Sequence, residues 1–129
     1  AAGSQKSEDR AKALNLADEY FHMDATDAVG FYNKSMELTN GELFDVVINC
    51  VSIENTEMAS ILSCKDDGVV YFFSMATSFT KAALGAEGVG KDINLIVGNG
   101  YAKGHAELTL GIIRESEEIR ELFNRLYVK

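Results

Sequence analysis

FDVVINCV, Phe44 to Val51, is the stretch on which the fold turns. It is apolar almost throughout, rich in β-branched residues, and interrupted only by Asp45 and Asn49. A strand with one wet face would alternate apolar and polar residues. A run without that alternation suits a central parallel strand, because helices cover such a sheet on both sides. Two further runs of the same kind follow, VVYFFSM at Val69 to Met75 and INLIVG at Ile93 to Gly98.

The segments around these runs read as helices. SEDRAKALNL, Ser7 to Leu16, opens on a serine, carries acids early, and then brings Ala11, Leu14 and Leu16 onto helical spacing. TDAVGFYNKSMEL, Thr26 to Leu38, can cap on Thr26 or Asp27 and stops at Gly41. Asn55 or Thr56 can cap TEMASILSC, and a last helical stretch runs from His105 through Tyr127 with a break near Ser116. YFHM, Tyr20 to Met23, is a short β-like patch. Strands that alternate with helices, without hairpin turns, predict β-α-β crossovers and a mostly parallel sheet: an α/β fold. Proline is absent, so glycine carries the punctuation.

The composition fits one domain of common size. The chain has 129 residues, 47 % of them hydrophobic and 25 % charged, as in an ordinary soluble protein. No run approaches the roughly 18 apolar residues that a membrane span needs. The start, AAGSQKSEDR, has no apolar core and does not read as a secretory leader, so the expected location is cytoplasmic. A net charge of -8 argues against nucleic acid, whose phosphates call for clustered Lys and Arg. Cys50 and Cys64 suit no zinc or redox spacing, and both are expected to be buried, reduced thiols.

GAEGVGKD, Gly85 to Asp92, is one residue short of a phosphate-binding P-loop, with Asp92 where a hydroxyl should stand. Its context is inverted. A P-loop needs a helix to follow it so that the helix dipole meets the phosphates, and here the strand INLIV follows instead. The stretch is therefore read as a flexible connection before an edge strand. GNGYAKG, Gly98 to Gly104, lies between a strand and a helix but spaces its glycines G-x-G-x-x-x-G, one residue too long for a dinucleotide fingerprint.

Taken in order, these elements resemble a Rossmann domain without its first strand-turn-helix. The opening AAGSQKSEDRAKALNLADEYFHMDAT looks like the loop after a second strand, its helix, and a third strand; FDVVINCV, VVYFFSM and INLIVGNG would be strands four to six. The pattern resembles the medium-chain dehydrogenase superfamily over nearly the whole chain. More narrowly, FDVVINCVSIENTEM, GVVYFFSMATSFTKAALGAEGVGKDINLIVGNGYAKGHAEL and IIRESEEIRELF resemble the L-erythro-3,5-diaminohexanoate dehydrogenase family of lysine fermentation. That resemblance implies oxidation of the 3-amino carbon of 3,5-diaminohexanoate by NAD or NADP, with hydrolysis of the imine to 5-amino-3-oxohexanoate and ammonia. It also implies an N-terminal substrate domain that this chain lacks, so residues 1–129 would be a partial dinucleotide-binding domain, inactive alone.

The same resemblance places cofactor contacts at the C-terminal ends of the strands, where an open α/β sheet takes its ligands. Gly3 to Lys6 would lie beside the adenosine ribose. Ser4, Lys6 and Arg10 stand there with no acid before Glu8, which admits the extra phosphate of NADP. Asn49, Cys50, Val51 and Ser52 would line the adenine and ribose side. Ser74, Met75 and Ala76 would meet the nicotinamide, and Asn99, Gly100 and Tyr101 would end the sixth strand. Thr77, Ser78 and Lys81 are candidates to reach substrate. Each of these is equally an ordinary loop polar, and Lys6 and Arg10 equally belong to a solvated helix face.

No catalytic acid or base is legible. His22 and His105 have no sequence neighbours that would make a metal site or a nucleophilic triad. The expected partners are a small amino-acid substrate, the rest of the chain's own polypeptide, and a second copy through the edge strand Ile93 to Val97. The competing reading is a non-catalytic α/β module that binds a small ligand or serves regulation. Upstream coding sequence with a G-x-G-x-x-G turn and a further domain would favour the enzyme.

Overall fold

The computed structural model describes residues 1–98 and 100–129. Three parallel strands form its centre: β1 (Phe44–Asn49), β2 (Cys64–Phe72) and β3 (Asn94–Val97), in the order β1-β2-β3. Val47 pairs with Val70, which pairs with Leu95; Asn49 pairs with Phe72, which pairs with Val97. The α/β, Rossmann-like reading of the sequence holds in these strands. The crossovers are α3 (Glu57–Ser63) and α4 (Phe79–Gly88). Ahead of the sheet lie α1 (Gln5–Leu14) and α2 (Ala28–Leu38); behind it come α5 (His105–Glu115) and α6 (Glu117–Tyr127).

The core occupies one face of the sheet. Ile61, Cys64, Val70, Phe72, Ala82 and Ala86 are buried together, with Val47, Met58 and Leu95 packed against them. These come from β1, β2, β3, α3 and α4, so alternate residues of each strand feed a single layer. The opposite face is bare: Val46 is 56 % exposed, Ile48 63 % and Ile96 49 %. This explains why the strands read as continuously apolar. Their sequence is written for two covered faces, and α3 and α4 supply one.

Asp27 caps α2 as the sequence suggests, whereas α1 starts earlier than expected, at Gln5 with Ser4 rather than Ser7 as its cap, and ends at Leu14 before Leu16. Ser4 accepts the Ser7 N–H at the start of α1, and Asp27 accepts the Gly30 N–H at the start of α2. Gly41, at φ 91°, sends its N–H back to the Met36 carbonyl and ends α2. Ser116 closes α5 and caps α6, which is the break expected there.

Four further expectations need correction. The YFHM patch is no strand among the described residues; it contributes a single parallel bridge, Ala2 to His22. Ala2 donates its N–H to the Phe21 carbonyl and accepts the Met23 N–H, and the chain then turns into α1 at Gln5, so the pairing does not continue past it. β2 begins at Cys64, earlier than Val69, because Phe44 pairs with Cys64 before the register shifts to Val46 with Val69. The glycine-rich stretch is half helix: Gly85 and Gly88 belong to α4, whose N-cap Ser78 accepts the Lys81 N–H. A Cβ on Gly85 would sit 2.6 Å from Met58 Sδ, so this glycine allows α4 to approach α3. Finally, Cys64 is buried as expected, but Cys50 is exposed, since the chain leaves the sheet at that residue.

Candidate cofactor-binding site

The C-terminal ends of β1 and β2 carry two adjacent turns, and each is shaped from within. After β1, Asn49 is buried and accepts the Val51 N–H at 2.9 Å. Its amide nitrogen donates to Thr56 Oγ1 and Ser60 Oγ, both at 2.9 Å. Asn49 thus folds the turn rather than facing outward. Cys50, Val51 and Ser52 are left exposed on its outer side. After β2, Ser74 Oγ accepts the Ala76 N–H at 3.1 Å, and Met75 is 85 % exposed. The last main-chain bond between the strands, Phe73 N–H to the Asn49 carbonyl at 2.9 Å, brings these turns side by side.

Beyond that bond, side chains join the two turns. Glu57, only 2 % exposed, accepts the Ser78 N–H at 2.7 Å through Oε1. Lys81 donates its ammonium to Asn55 Oδ1. Thr77 Oγ1, between Ala76 and Ser78, is buried without a hydrogen-bond partner among the described residues. An orphaned buried hydroxyl at this position fits a polar ligand group arriving from the open end of the sheet.

The structure places the remaining sequence candidates as follows. Ser4 spends its hydroxyl on capping α1 and on Ser7 Oγ at 3.0 Å. Lys6 and Arg10 are exposed and four residues apart on α1, hence on one helical face. Gly100 is exposed, and Tyr101 is exposed and stacks on His105 with ring centroids 4.6 Å apart. Asn99 lies outside the described residues. Two groups are therefore brought together, Cys50–Ser52 with Ser74–Ala76, while Lys6 and Arg10 stand on the separate α1 segment.

Sequence reading missed two residues. Glu57 looks like an ordinary acid in a first helical turn, and nothing local says that its carboxylate turns inward. Glu8 is the partner of His22: its Oε2 lies 2.7 Å from His22 Nδ1, and its Oε1 lies 2.6 Å from Lys12 Nζ. The hydrogen bonds from Lys12 and His22 hold the Glu8 carboxyl below the usual carboxylate range. The pair Glu8 and Lys12 is legible as an i, i+4 match, but His22 joins only through the fold. Among the described residues no cluster of three or more His, Cys, Asp or Glu could hold a metal ion.

The P-loop resemblance is resolved by Lys91. Its ammonium donates to the Cys64 carbonyl at the start of β2, the end of the sheet opposite the two turns. Gly90, at φ 64°, only turns the chain out of α4.

No protein-family model matches the chain. Comparison with curated proteins finds an L-erythro-3,5-diaminohexanoate dehydrogenase of Acetoanaerobium sticklandii, 52 % identical over 125 residues. A protein of the same name from Fusobacterium nucleatum subsp. nucleatum is 51 % identical over 124 residues. The matches take in 97 % and 96 % of this chain but 36 % and 34 % of those proteins. The chain is thus related along nearly its whole length to a segment that makes up about a third of each relative.

Proposed function

We propose that the chain is the nucleotide-binding portion of an NAD(P)-dependent oxidoreductase that oxidatively deaminates 3,5-diaminohexanoate to 5-amino-3-oxohexanoate. One observation carries the reading: the 52 % identity, over 97 % of the chain, to a dehydrogenase of that name. An all-parallel sheet with paired turns at its C-terminal edge supports it, because open α/β sheets bind dinucleotides there.

The residues at hand suit a nicotinamide cofactor. Cys50, Val51 and Ser52 would hold the ribose side, and Ser74, Met75 and Ala76 the nicotinamide side, with Asn99 and Gly100 from the sequence after β3. Thr77 would give its free hydroxyl to a polar group of the ligand. Lys6 and Arg10 would meet a 2′-phosphate where NADP is used. When bound, the nicotinamide accepts the hydride from the carbon that bears the amino group. The exposed Met75 would add apolar surface over that reaction and exclude water from it.

The remainder of the polypeptide would supply the substrate domain. A groove of about 530 Å³ separates the Phe21 segment from β1 and α3, with Phe31, Leu38, Val46 and Ile48 on its walls. β1 is an edge of the sheet, so this groove and the bare face beside it suit a further strand and helix of the same protein. A second copy would pair at the other edge, β3. No helix among the described residues is long and apolar enough to cross a membrane.

The test is direct. The full-length protein should reduce NAD or NADP when given L-erythro-3,5-diaminohexanoate and should release ammonia in equal amount. Absence of both, with a folded protein, would return the α/β-module reading to the front.

A further inference from the structure

We propose that Glu57 is a positioning residue which locks the turn after β2 onto the start of α3 and so sets the spacing between the two halves of the cofactor site. The inference rests on the function proposed above and adds a residue to it.

A carboxylate at 2 % exposure is costly unless it is hydrogen-bonded. Glu57 spends one oxygen on the Ser78 N–H, at 2.7 Å and across 21 residues of chain. Ser78 is the N-cap of α4, so the bond fixes the first residue of that helix as well as the turn before it. Main-chain pairing cannot do this work. The ladder between the strands ends with Phe73 on Asn49, and Cys50–Ser52 and Ser74–Ala76 lie beyond it. The turn after β1 is tied to α3 by Asn49, which bonds Thr56 and Ser60. Glu57 follows Thr56 directly, so the carboxylate joins an already fixed turn to one that has no such anchor of its own. Lys81 on Asn55 makes a second, exposed tie between the same segments.

A ligand that spans both turns feels their separation. Losing the acceptor leaves the Ser78 N–H without its partner and lets Ser74–Ala76 drift from Cys50–Ser52. A half-buried donor left unpaired by loss of a charged acceptor shifts an equilibrium by up to about tenfold.

The experiment uses the full-length enzyme and titrates reduced cofactor by its fluorescence, with unfolding followed in parallel. Glu57→Met keeps volume and removes the acceptor; Glu57→Gln keeps an amide oxygen that can take the same N–H. Gly68→Ala, in the middle of β2 and away from both turns, is a destabilised control. We expect the dissociation constant to rise about tenfold in Glu57→Met and to stay within about twofold in Glu57→Gln. Gly68→Ala should lower Tm and leave cofactor affinity intact. Unchanged affinity in folded Glu57→Met, or equal weakening in Gln and Met, overturns the proposal. Should Glu57→Met not fold, Glu57→Asp decides, since its shorter arm must weaken the cofactor by a few fold, and unchanged affinity there also overturns it. A wild-type enzyme that binds neither reduced cofactor refutes the proposed function itself.

Discussion

The Lys91 ammonium donates to the Cys64 carbonyl, 27 residues earlier in the chain. This one bond turns the apparent phosphate lysine into a brace between the loop after α4 and the start of β2. Lys91→Ala should therefore cost stability, by about 1–2 kcal/mol for a charge-assisted bond to a half-buried carbonyl. It should leave nucleotide binding unaltered. Urea unfolding and an ATP titration with magnesium check both halves. Tight ATP binding that vanishes in the variant would contradict this assignment.

Glu8 links α1 to the His22 segment, and its pKa is lowered first by the Lys12 hydrogen bond and then by the His22 one. A carboxyl with a depressed folded pKa contributes stability above its unfolded value, near 4.3, and loses it as pH falls through the folded value. Stability should accordingly decline below about pH 4.3. Glu8→Gln should be less stable at neutral pH and show a flatter decline in that acid range. Urea midpoints measured from pH 7 down to pH 2 would reveal it; parallel curves for the two proteins would remove Glu8 from this role.

The class of fold was legible because FDVVINCV, VVYFFSM and INLIVG are each long enough to cross a sheet and too apolar to show a wet face. α4 was not legible as a helix. Its sequence, FTKAALGAEG, holds good helix formers, but Gly85 and Gly88 break the pattern and read as loop; Gly85 is there because a Cβ would meet Met58 on α3, a tertiary contact no local pattern shows. The site divides in the same way. The turns after β1 and β2 could be placed from strand ends alone, whereas the Glu57 bond to Ser78 joins residues far apart in sequence. Gly68 shows the same limit: a Cβ there would come within 2.5 Å of Cys64 Sγ and 2.9 Å of the Asp45 carbonyl, and no local pattern announces that crowding.

Lys6 and Arg10 share an exposed face of α1, just past the Ala2 bridge to His22. If that face meets a 2′-phosphate, Lys6→Ala and Arg10→Ala in the full-length enzyme should each weaken NADP by about three- to tenfold, the range of an exposed charge-assisted contact. NAD should change little, since it offers no phosphate at that position. Raising salt should narrow the difference between wild type and variants. Equal effects on the two cofactors would place both residues outside the site.

β3 is an edge of the sheet among the described residues. Gly98 donates its N–H to the Phe72 carbonyl, so the strand's alternation turns the main chain of Ile96 toward β2 and that of Leu95 and Val97 outward. Leu95 also feeds the core, which leaves Val97 as the outward donor whose loss spares the fold. If two copies join through Ile93 to Val97, each must lend those outward groups to the other across a two-fold axis. Val97→Pro removes the outward N–H and should yield a folded monomer in sedimentation. Ile96→Pro removes a bond within the sheet and should instead unfold the edge, at a cost of about 3 kcal/mol or more. An unmodified full-length protein that sediments as a monomer, or a Val97→Pro protein that stays dimeric, would rule this interface out.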